Sequence, residues 1–242
     1  GVPLSTWMGE ALGWRAAFAL VGAIGLLTVW LVHRHVPHEP APAAASPWRE
    51  LQALRQPQVW LTLGVGAVGF GGLFSVFSYI KPTMLEVAHL PPQGLPFVLA
   101  LFGLGMVAGN WIGPKFVDRH LMATIAGILL WGAAVLALFA LTVPVLPLAV
   151  AGTFLVGTLG ALGPALQVRL MDVAGEAQTL AAALNHSAFN AANALGAWLG
   201  GMAVLWGWGW ASTGWVGVAL ALGGLAVFAA SAALQRRAPV RG

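Results

Sequence analysis

The sequence contains no cysteine and very little charge. Of its 242 residues, 7% are charged and 59% are hydrophobic, whereas a soluble domain carries about 25% charged residues. The absence of cysteine excludes disulfides, thiolate catalysis and cysteine-based metal sites. The scarcity of charge excludes a water-exposed surface over most of the chain and predicts an integral membrane protein.

Three long stretches contain no Asp, Glu, Lys or Arg. They are residues 56–80, 120–168 and 177–235. A helix of about 20 mostly apolar residues crosses the ~30 Å hydrocarbon core of a bilayer. The first stretch therefore fits one span. Each of the other two fits a pair, because Pro- and Gly-containing segments at 142–147 and 207–214 predict a turn near the middle.

The predicted fold class is an all-α polytopic membrane protein with about seven transmembrane helices. Lipid offers no hydrogen-bond partner to the backbone, and the alternation typical of barrel strands is absent. The predicted spans are 14–33, 58–80, 95–114, 121–142, 145–169, 178–204 and 212–234. The chain therefore divides into one leading span and a six-helix bundle at 58–234.

The segments outside these spans have predicted roles as well. Residues 1–8 are expected to form the tail of a truncated helix, and residues 235–242 a cytoplasmic tail. Residues 34–57 form a Pro- and Ala-rich cytoplasmic linker. Its last part is amphipathic, because Trp48, Leu51 and Leu54 recur three residues apart, and it is expected to lie on the membrane surface.

The basic residues predict the orientation of the chain. Arg15 and Lys81 fall on one side of the predicted bilayer. The other nine of the eleven Lys and Arg residues fall on the opposite side: Arg34, Arg49, Arg55, Lys115, Arg119, Arg169, Arg236, Arg237 and Arg241. The positive-inside rule places this second group and the C-terminus in the cytoplasm. The formal charge of +4 therefore needs no nucleic-acid partner.

Three local patterns resemble the major facilitator superfamily. "GVPLSTWMGEALGWRAAF" at 1–18 is similar to the end of the fifth helix and the entry to the sixth in the drug and sugar efflux branch. "GNWIGPKFVDRH" at 109–120 resembles the second copy of the family's Gly…Asp-Arg loop signature, with Pro114 where that branch usually has Gly. "ALNHSAFNAANALGAWLGG" at 183–201 resembles the eleventh helix of arabinose-efflux-type and chloramphenicol-efflux-type permeases.

The resemblance covers the whole chain and implies the C-terminal half of a transporter. It implies a secondary transporter in the bacterial inner (plasma) membrane that exports small organic molecules, drug-like or sugar-like, by alternating access, with proton antiport left open. The expected partners are the lipid bilayer, a small-molecule substrate and the missing N-terminal half. The alternative is a non-transporting orphan half-bundle or assembly module. No enzyme is expected, because neither G-x-S-x-G nor H-E-x-x-H occurs. No cofactor, metal site or nucleic-acid partner is expected either.

The eleventh-helix segment carries the first candidate site. His186, Asn190 and Asn193 fall within about 60° of one another on a helix. Beside them, Gly196 and Gly200 favour close helix packing. The polar face is predicted to line a substrate pathway, and hydrogen bonding between helices is the alternative. Because all seven acidic residues lie in loops or at span ends, a proton carrier would be His186 or a residue in the missing half.

Four residues near the end of span 58–80 form a second candidate pathway face, with ordinary packing as the alternative: Phe74, Ser75, Ser78 and Tyr79. Ser75, Ser78 and Tyr79 are expected to share one helix face. Gln167 is expected at the cavity mouth. The mid-span Trp131 is predicted to pack between helices.

Two further sites are predicted to take part in conformational change. Gly163-Pro164 lies inside a span and predicts a kink, which is either static or a gating hinge. By resemblance, Gly113, Asp118 and Arg119 belong to a loop that steadies one conformation, and a solvated turn is the alternative. Asn110-x-x-Gly113 and Asn193-x-x-Gly196 are a faint trace of the inverted three-helix repeat of such transporters.

Overall fold

The computed structural model of the chain describes residues 8–9, 11–36, 53–175 and 177–237. Within these ranges the regular elements are helices, which confirms the predicted fold class. Most of the predicted linker and amphipathic segment, including Trp48 and Leu51, lies outside the described residues. So do 1–7 of the predicted helix tail and the end of the C-terminal tail. The chain splits into two compact units, Gly1–Ser46 and Pro47–Gly242.

In the described part of the first unit, residues Trp14–His35 form a long apolar helix, α1. It begins after Gly13, whose φ of 83° is in the left-handed region that favours glycine. Three basic residues, His33, Arg34 and His35, occupy the last turn, where positive charge complements the helix dipole. At 22 residues, α1 is long and apolar enough to cross a membrane.

The second unit is a helical bundle. Its main helices are α2 (Pro57–Gly69), α3 (Gly71–Phe77), α4 (Leu95–Thr142), α5 (Leu146–Gly157), α6 (Leu162–Ala174), α7 (Gln178–Leu205) and α8 (Ser212–Arg237). The α2–α3 and α5–α6 pairs each continue in one direction. With these joined and α1 included, six helices in the described part of the chain are long and apolar enough to span a membrane.

Helix α4 contains two of the predicted spans. Its 48 residues are interrupted at His120, where φ is −147° and ψ is 64°, far from helical values. At 1.5 Å per residue, its length of about 72 Å exceeds twice the hydrocarbon thickness. Residues on both sides of His120 line one cavity, so the chain folds back there. The chain thus turns between the two predicted spans, but the end of the first span at residue 114 is wrong, because helix continues to Arg119 with Pro114 inside it.

Glycines bring two helix pairs into backbone contact. A Cβ on Gly196 in α7 would overlap the carbonyl oxygen of Gly71 in α3 and lie 2.9 Å from the amide nitrogen of Ser75. A Cβ on Gly109 in α4 would overlap the carbonyl oxygen of Thr158, in the 3₁₀ turn Thr158–Ala161 between α5 and α6. Small residues permit such close approach, which is a main source of helix association in lipid.

The buried faces of α4 and α7 that make these close contacts have the same spacing. When Asn110 is aligned with Asn193, the buried residues 105, 109, 113 and 117 of α4 match the buried residues 188, 192, 196 and 200 of α7. Both asparagines are exposed beside their stripe. The faint sequence trace of a repeat therefore corresponds to equivalent packing faces on two helices.

The glycine contact generates a stability prediction. We expect Gly196→Ala to lower the free energy of unfolding by about 1 to 3 kcal/mol, because the added methyl group meets backbone atoms that have little room to move. Gly127→Ala is the matched control, since a Cβ at Gly127 has no neighbour within 4 Å. Thermal unfolding in detergent checks both variants. Equal melting temperatures for Gly196→Ala and wild type would contradict the packing.

Candidate functional site

Helix α7 presents two faces with different chemistry. One face carries the buried small residues Ala188, Ala192, Gly196 and Gly200 and packs on α2 and α3. The polar face, defined as His186, Asn190 and Asn193, is exposed. Polar side chains in a membrane segment usually face a bundle interior or a water-filled cavity. The exposed polar face therefore needs water or a further protein surface against it.

A row of four rings joins the two candidate regions of the sequence. Phe74 lies edge-on to Phe70 with ring centroids 5.5 Å apart, and Phe70 lies 4.8 Å from Phe189 of α7. Phe189 in turn meets the ring of His186 edge-on at 6.5 Å. Such geometries are the favourable ones for aromatic pairs. The structure thus connects Phe74 with His186 through two phenylalanines that were not among the predicted site residues.

Phe189 also contacts the predicted hinge. A Cβ on Gly163 would lie 3.7 Å from the Phe189 ring, and one on Gly66 would lie 3.6 Å from it. The ring therefore sits where glycines leave space on α2 and α6. The helical path from α5 to α6 is interrupted by the 3₁₀ turn Thr158–Ala161, just before Gly163-Pro164. Pro164 occupies the first turn of α6, where a missing N–H costs little.

Gln167 of α6 is paired with an asparagine of α7. The Asn185 amide nitrogen donates a hydrogen bond of 2.7 Å to Gln167 Oε1. Asn185 is buried, whereas Gln167 is half-buried. Asn185 therefore forms a hydrogen bond between helices. For its neighbours on the polar face, such bonding was the alternative to lining a pathway.

The predicted hydroxyl face at the end of span 58–80 is divided. Ser75 is fully buried, and its single hydroxyl proton is shared between the carbonyl oxygens of Gly72 and Thr213, which lie 2.8 and 3.0 Å from Oγ. Tyr79 donates its hydroxyl to the carbonyl oxygen of Ala197 at 2.7 Å. Ser78 is exposed. The expectation that these three residues share one face is wrong, because α3 ends at Phe77. Ser75 bonds to α8 from within α3, whereas Tyr79 bonds to α7 from beyond the end of α3.

A buried arginine network joins three helices at one end of the bundle. Arg169 of α6 is 8% exposed and donates to Gln58 Oε1 of α2 at 3.3 Å and to Gln235 Oε1 of α8 at 2.9 Å. Gln58 Oε1 also accepts from the Ser231 hydroxyl at 2.6 Å. The predicted span ended at Arg169. That boundary is wrong, because α6 continues to Ala174.

The residues of the Asp-Arg signature are not brought to the polar face. Asp118 and Arg119 are exposed on the turn of α4 that precedes the break at His120. Gly113 is buried, and a Cβ there would lie 3.0 Å from the Cβ of Ala161. Gly113 thus contacts the 3₁₀ turn next to the predicted hinge, while Asp118 and Arg119 lie next to the break at His120.

Comparison with known proteins gives the family. The model of the Major Facilitator Superfamily matches residues 1–125, about half of the chain. The chain belongs to the major facilitator superfamily. This membership confirms the resemblance read from the three sequence patterns. The superfamily is one of transporters, in agreement with the prediction that the chain is not an enzyme.

Several relatives in the superfamily share similar identity with the chain. The inner membrane transport protein YdhP of Escherichia coli K12 is 34% identical over 87% of this chain and 54% of its own length. A chloramphenicol resistance protein of Streptomyces lividans is 33% identical over 85% and 56%. A "Probable sugar efflux transporter" of Helicobacter acinonychis (strain Sheeba) is 29% identical over 94% and 58%. The chain spans about half the length of these relatives.

The arginine network generates a prediction about Gln58. Gln58→Leu removes the oxygen that accepts from Arg169 and Ser231 and leaves a buried guanidinium short of a partner. We expect the free energy of unfolding to fall by about 1 to 3 kcal/mol, the cost of an unsatisfied buried group. Gln58→Glu is the matched variant, because it keeps an acceptor and adds an opposite charge. Denaturant titration in detergent measures both. The network has no such role if Gln58→Leu is as stable as Gln58→Glu.

Proposed function

We propose that this chain is the C-terminal half of a secondary transporter that exports small organic molecules by alternating access. The observation that carries the proposal is the exposed polar face of α7 beside a row of aromatic rings. In the complete protein, a second bundle would cover this face and leave a water-filled path between the two halves. The relatives' length leaves room for that bundle.

The chemistry of the site favours an amphipathic substrate. Phe74, Phe189 and the His186 ring offer aromatic surface, whereas Asn190 and Asn193 offer amide donors and acceptors. A ligand with an apolar body and a few hydrogen-bonding groups suits such a lining. The printed names of two relatives, a chloramphenicol resistance protein and a sugar efflux protein, mark the range of compounds to test.

The contact between Phe189 and the Gly163-Pro164 segment supports a coupling between occupancy and helix bending. A substrate that moves the Phe189 ring would press on α6 next to its 3₁₀ turn. Movement of α5 relative to α6 about this turn would then open or close one end of the path. Gly113, packed on Ala161 of the same turn, connects the hinge to the α4 end that carries Asp118 and Arg119.

Orientation and coupling form part of the same proposal. Nine of the eleven basic residues on one side favour a cytoplasmic C-terminus in a bacterial inner membrane. His186 is the candidate proton carrier of this half, because histidine changes charge near neutral pH. Its exposure on the polar face would let it exchange protons with water in the path.

An efflux assay tests the proposal. Cells expressing the complete protein are loaded with a panel of amphipathic antibiotics, chloramphenicol among them, and simple sugars. We expect Asn190→Ala to reduce efflux of the exported compound about tenfold, the loss of one good hydrogen bond. His186→Ala is expected to abolish the part of efflux that depends on the proton gradient. Ser187→Ala is the control, since that hydroxyl already bonds to Ala183 of its own helix.

Two results would contradict the proposal. If the complete protein exports none of the panel, the non-transporting assembly module becomes the better account. If it exports a compound and both Asn190→Ala and His186→Ala are normal at wild-type expression, the polar face serves helix contacts instead. The path would then have to be sought along Phe74 and Ser78 or in the other half.

A further inference from the structure

The cavity between the two parts of α4 is separate from the polar face of α7. It has a volume of about 560 Å³. One wall is formed by Gly109, Ile112 and Phe116, and the facing wall by Gly127, Ile128 and Trp131. The 3₁₀ turn Thr158–Ala161 contributes to the lining as well. The volume is typical of a ligand site, and the lining is dominated by apolar side chains of membrane-spanning segments.

Three polar side chains in the lining, Trp131, Thr158 and Thr124, are paired within the protein, and the His120 ring is the remaining polar side chain there. Trp131 Nε1 donates to the Thr158 hydroxyl at 2.9 Å, and that hydroxyl donates to the carbonyl oxygen of Leu155. The Thr124 hydroxyl donates to the carbonyl oxygen of His120 at 2.9 Å. Away from His120, a ligand in this cavity therefore meets mainly apolar surface. Such a lining suits an apolar molecule.

The charges at the end of the cavity are arranged asymmetrically. At 100° per residue, Arg119 lies about 70° from the middle of the α4 face that lines the cavity, whereas Asp118 lies about 170° away. Lys115 is turned elsewhere, because its Nζ lies 3.6 Å from the centroid of the Trp111 ring. Both Arg119 and Asp118 are exposed. Arg119 therefore lies on the cavity side of α4, and its neighbour Asp118 lies on the opposite side of the helix.

We propose that this cavity binds one acyl chain of an anionic phospholipid, with Arg119 beside the headgroup. An apolar cavity inside a bilayer is in contact with acyl chains at very high concentration, and its lining matches them. A cation at the rim favours an anionic headgroup over a neutral one. Arg suits a phosphate group because its guanidinium donates in a fixed fork. This proposal rests on membrane insertion alone and is independent of what the protein transports.

Native mass spectrometry of the complete protein, purified in mild detergent, tests the proposal. Phosphatidylglycerol is the anionic probe and phosphatidylcholine the neutral one. Gly127→Leu fills the cavity, and a Cβ at this position has no neighbour within 4 Å. Gly103→Leu is the matched control, because it adds the same side chain to α4 at another glycine with open space. Arg119→Gln and Lys115→Gln each remove one positive charge from α4 just before its break at His120.

We expect wild type and Gly103→Leu to retain one more phosphatidylglycerol than Gly127→Leu. Arg119→Gln should lower the preference for phosphatidylglycerol over phosphatidylcholine several-fold, whereas Lys115→Gln should leave it unchanged. If Gly127→Leu retains as much lipid as wild type, or if wild type retains none because the other half covers the cavity, the proposal is overturned. Equal effects of the two charge variants would overturn the role of Arg119.

Discussion

The absence of water from the bilayer core is the constraint on which the rest of this structure depends. Without a hydrophobic driving force between helices, association must come from close packing and from hydrogen bonds between helices. Both are visible in the bundle. Gly196 and Gly109 let backbones touch, and Ser75, Tyr79 and Asn185 each donate a hydrogen bond to a neighbouring helix. The polar face of α7 stands out because it is exposed and lies beside this packing rather than within it.

The same constraint explains why the candidate site and the candidate hinge lie together. Glycine allows a helix to accept a large ring from its neighbour, and Gly66 and Gly163 accept Phe189 in this way. Gly163 precedes Pro164, which fits only near the start of α6. A large aromatic ring, a proline and a 3₁₀ turn therefore occupy one region, next to the polar face of α7.

Much of the fold could be predicted from the sequence. Apolar runs of about 20 residues and the lack of charge were enough to place the long helices, and three local patterns indicated the superfamily that the comparison confirms. The end of the span 95–114 was placed too early, because the charged residues Lys115, Asp118 and Arg119 interrupt the apolar run although helix continues to Arg119. Hydropathy therefore places a helix boundary too early where the charged residues that follow the apolar run are still helical.

The side-chain partners could be predicted only in part. Helical spacing separates the glycine stripe of α7 from its polar face, because spacing within one helix is fixed. It could not show that Asn185 pairs with Gln167, that Ser75 is buried or that Arg169 is held by Gln58 and Gln235, since these contacts depend on how separate helices are placed. The row of rings through Phe70 and Phe189 escaped prediction for the same reason.

The most direct test of the account asks whether water reaches the polar face in the complete protein. The chain contains no cysteine, so Asn190→Cys introduces a single reactive thiol into it once any cysteine elsewhere in the complete protein is replaced. Leu222→Cys on α8, at an exposed apolar position, is the control. We expect a membrane-impermeant maleimide to label Asn190→Cys, more slowly when an exported compound is present, and to leave Leu222→Cys unmodified. If the Asn190→Cys thiol reacts no faster than the Leu222→Cys thiol, the central claim that the polar face lines an aqueous path is contradicted.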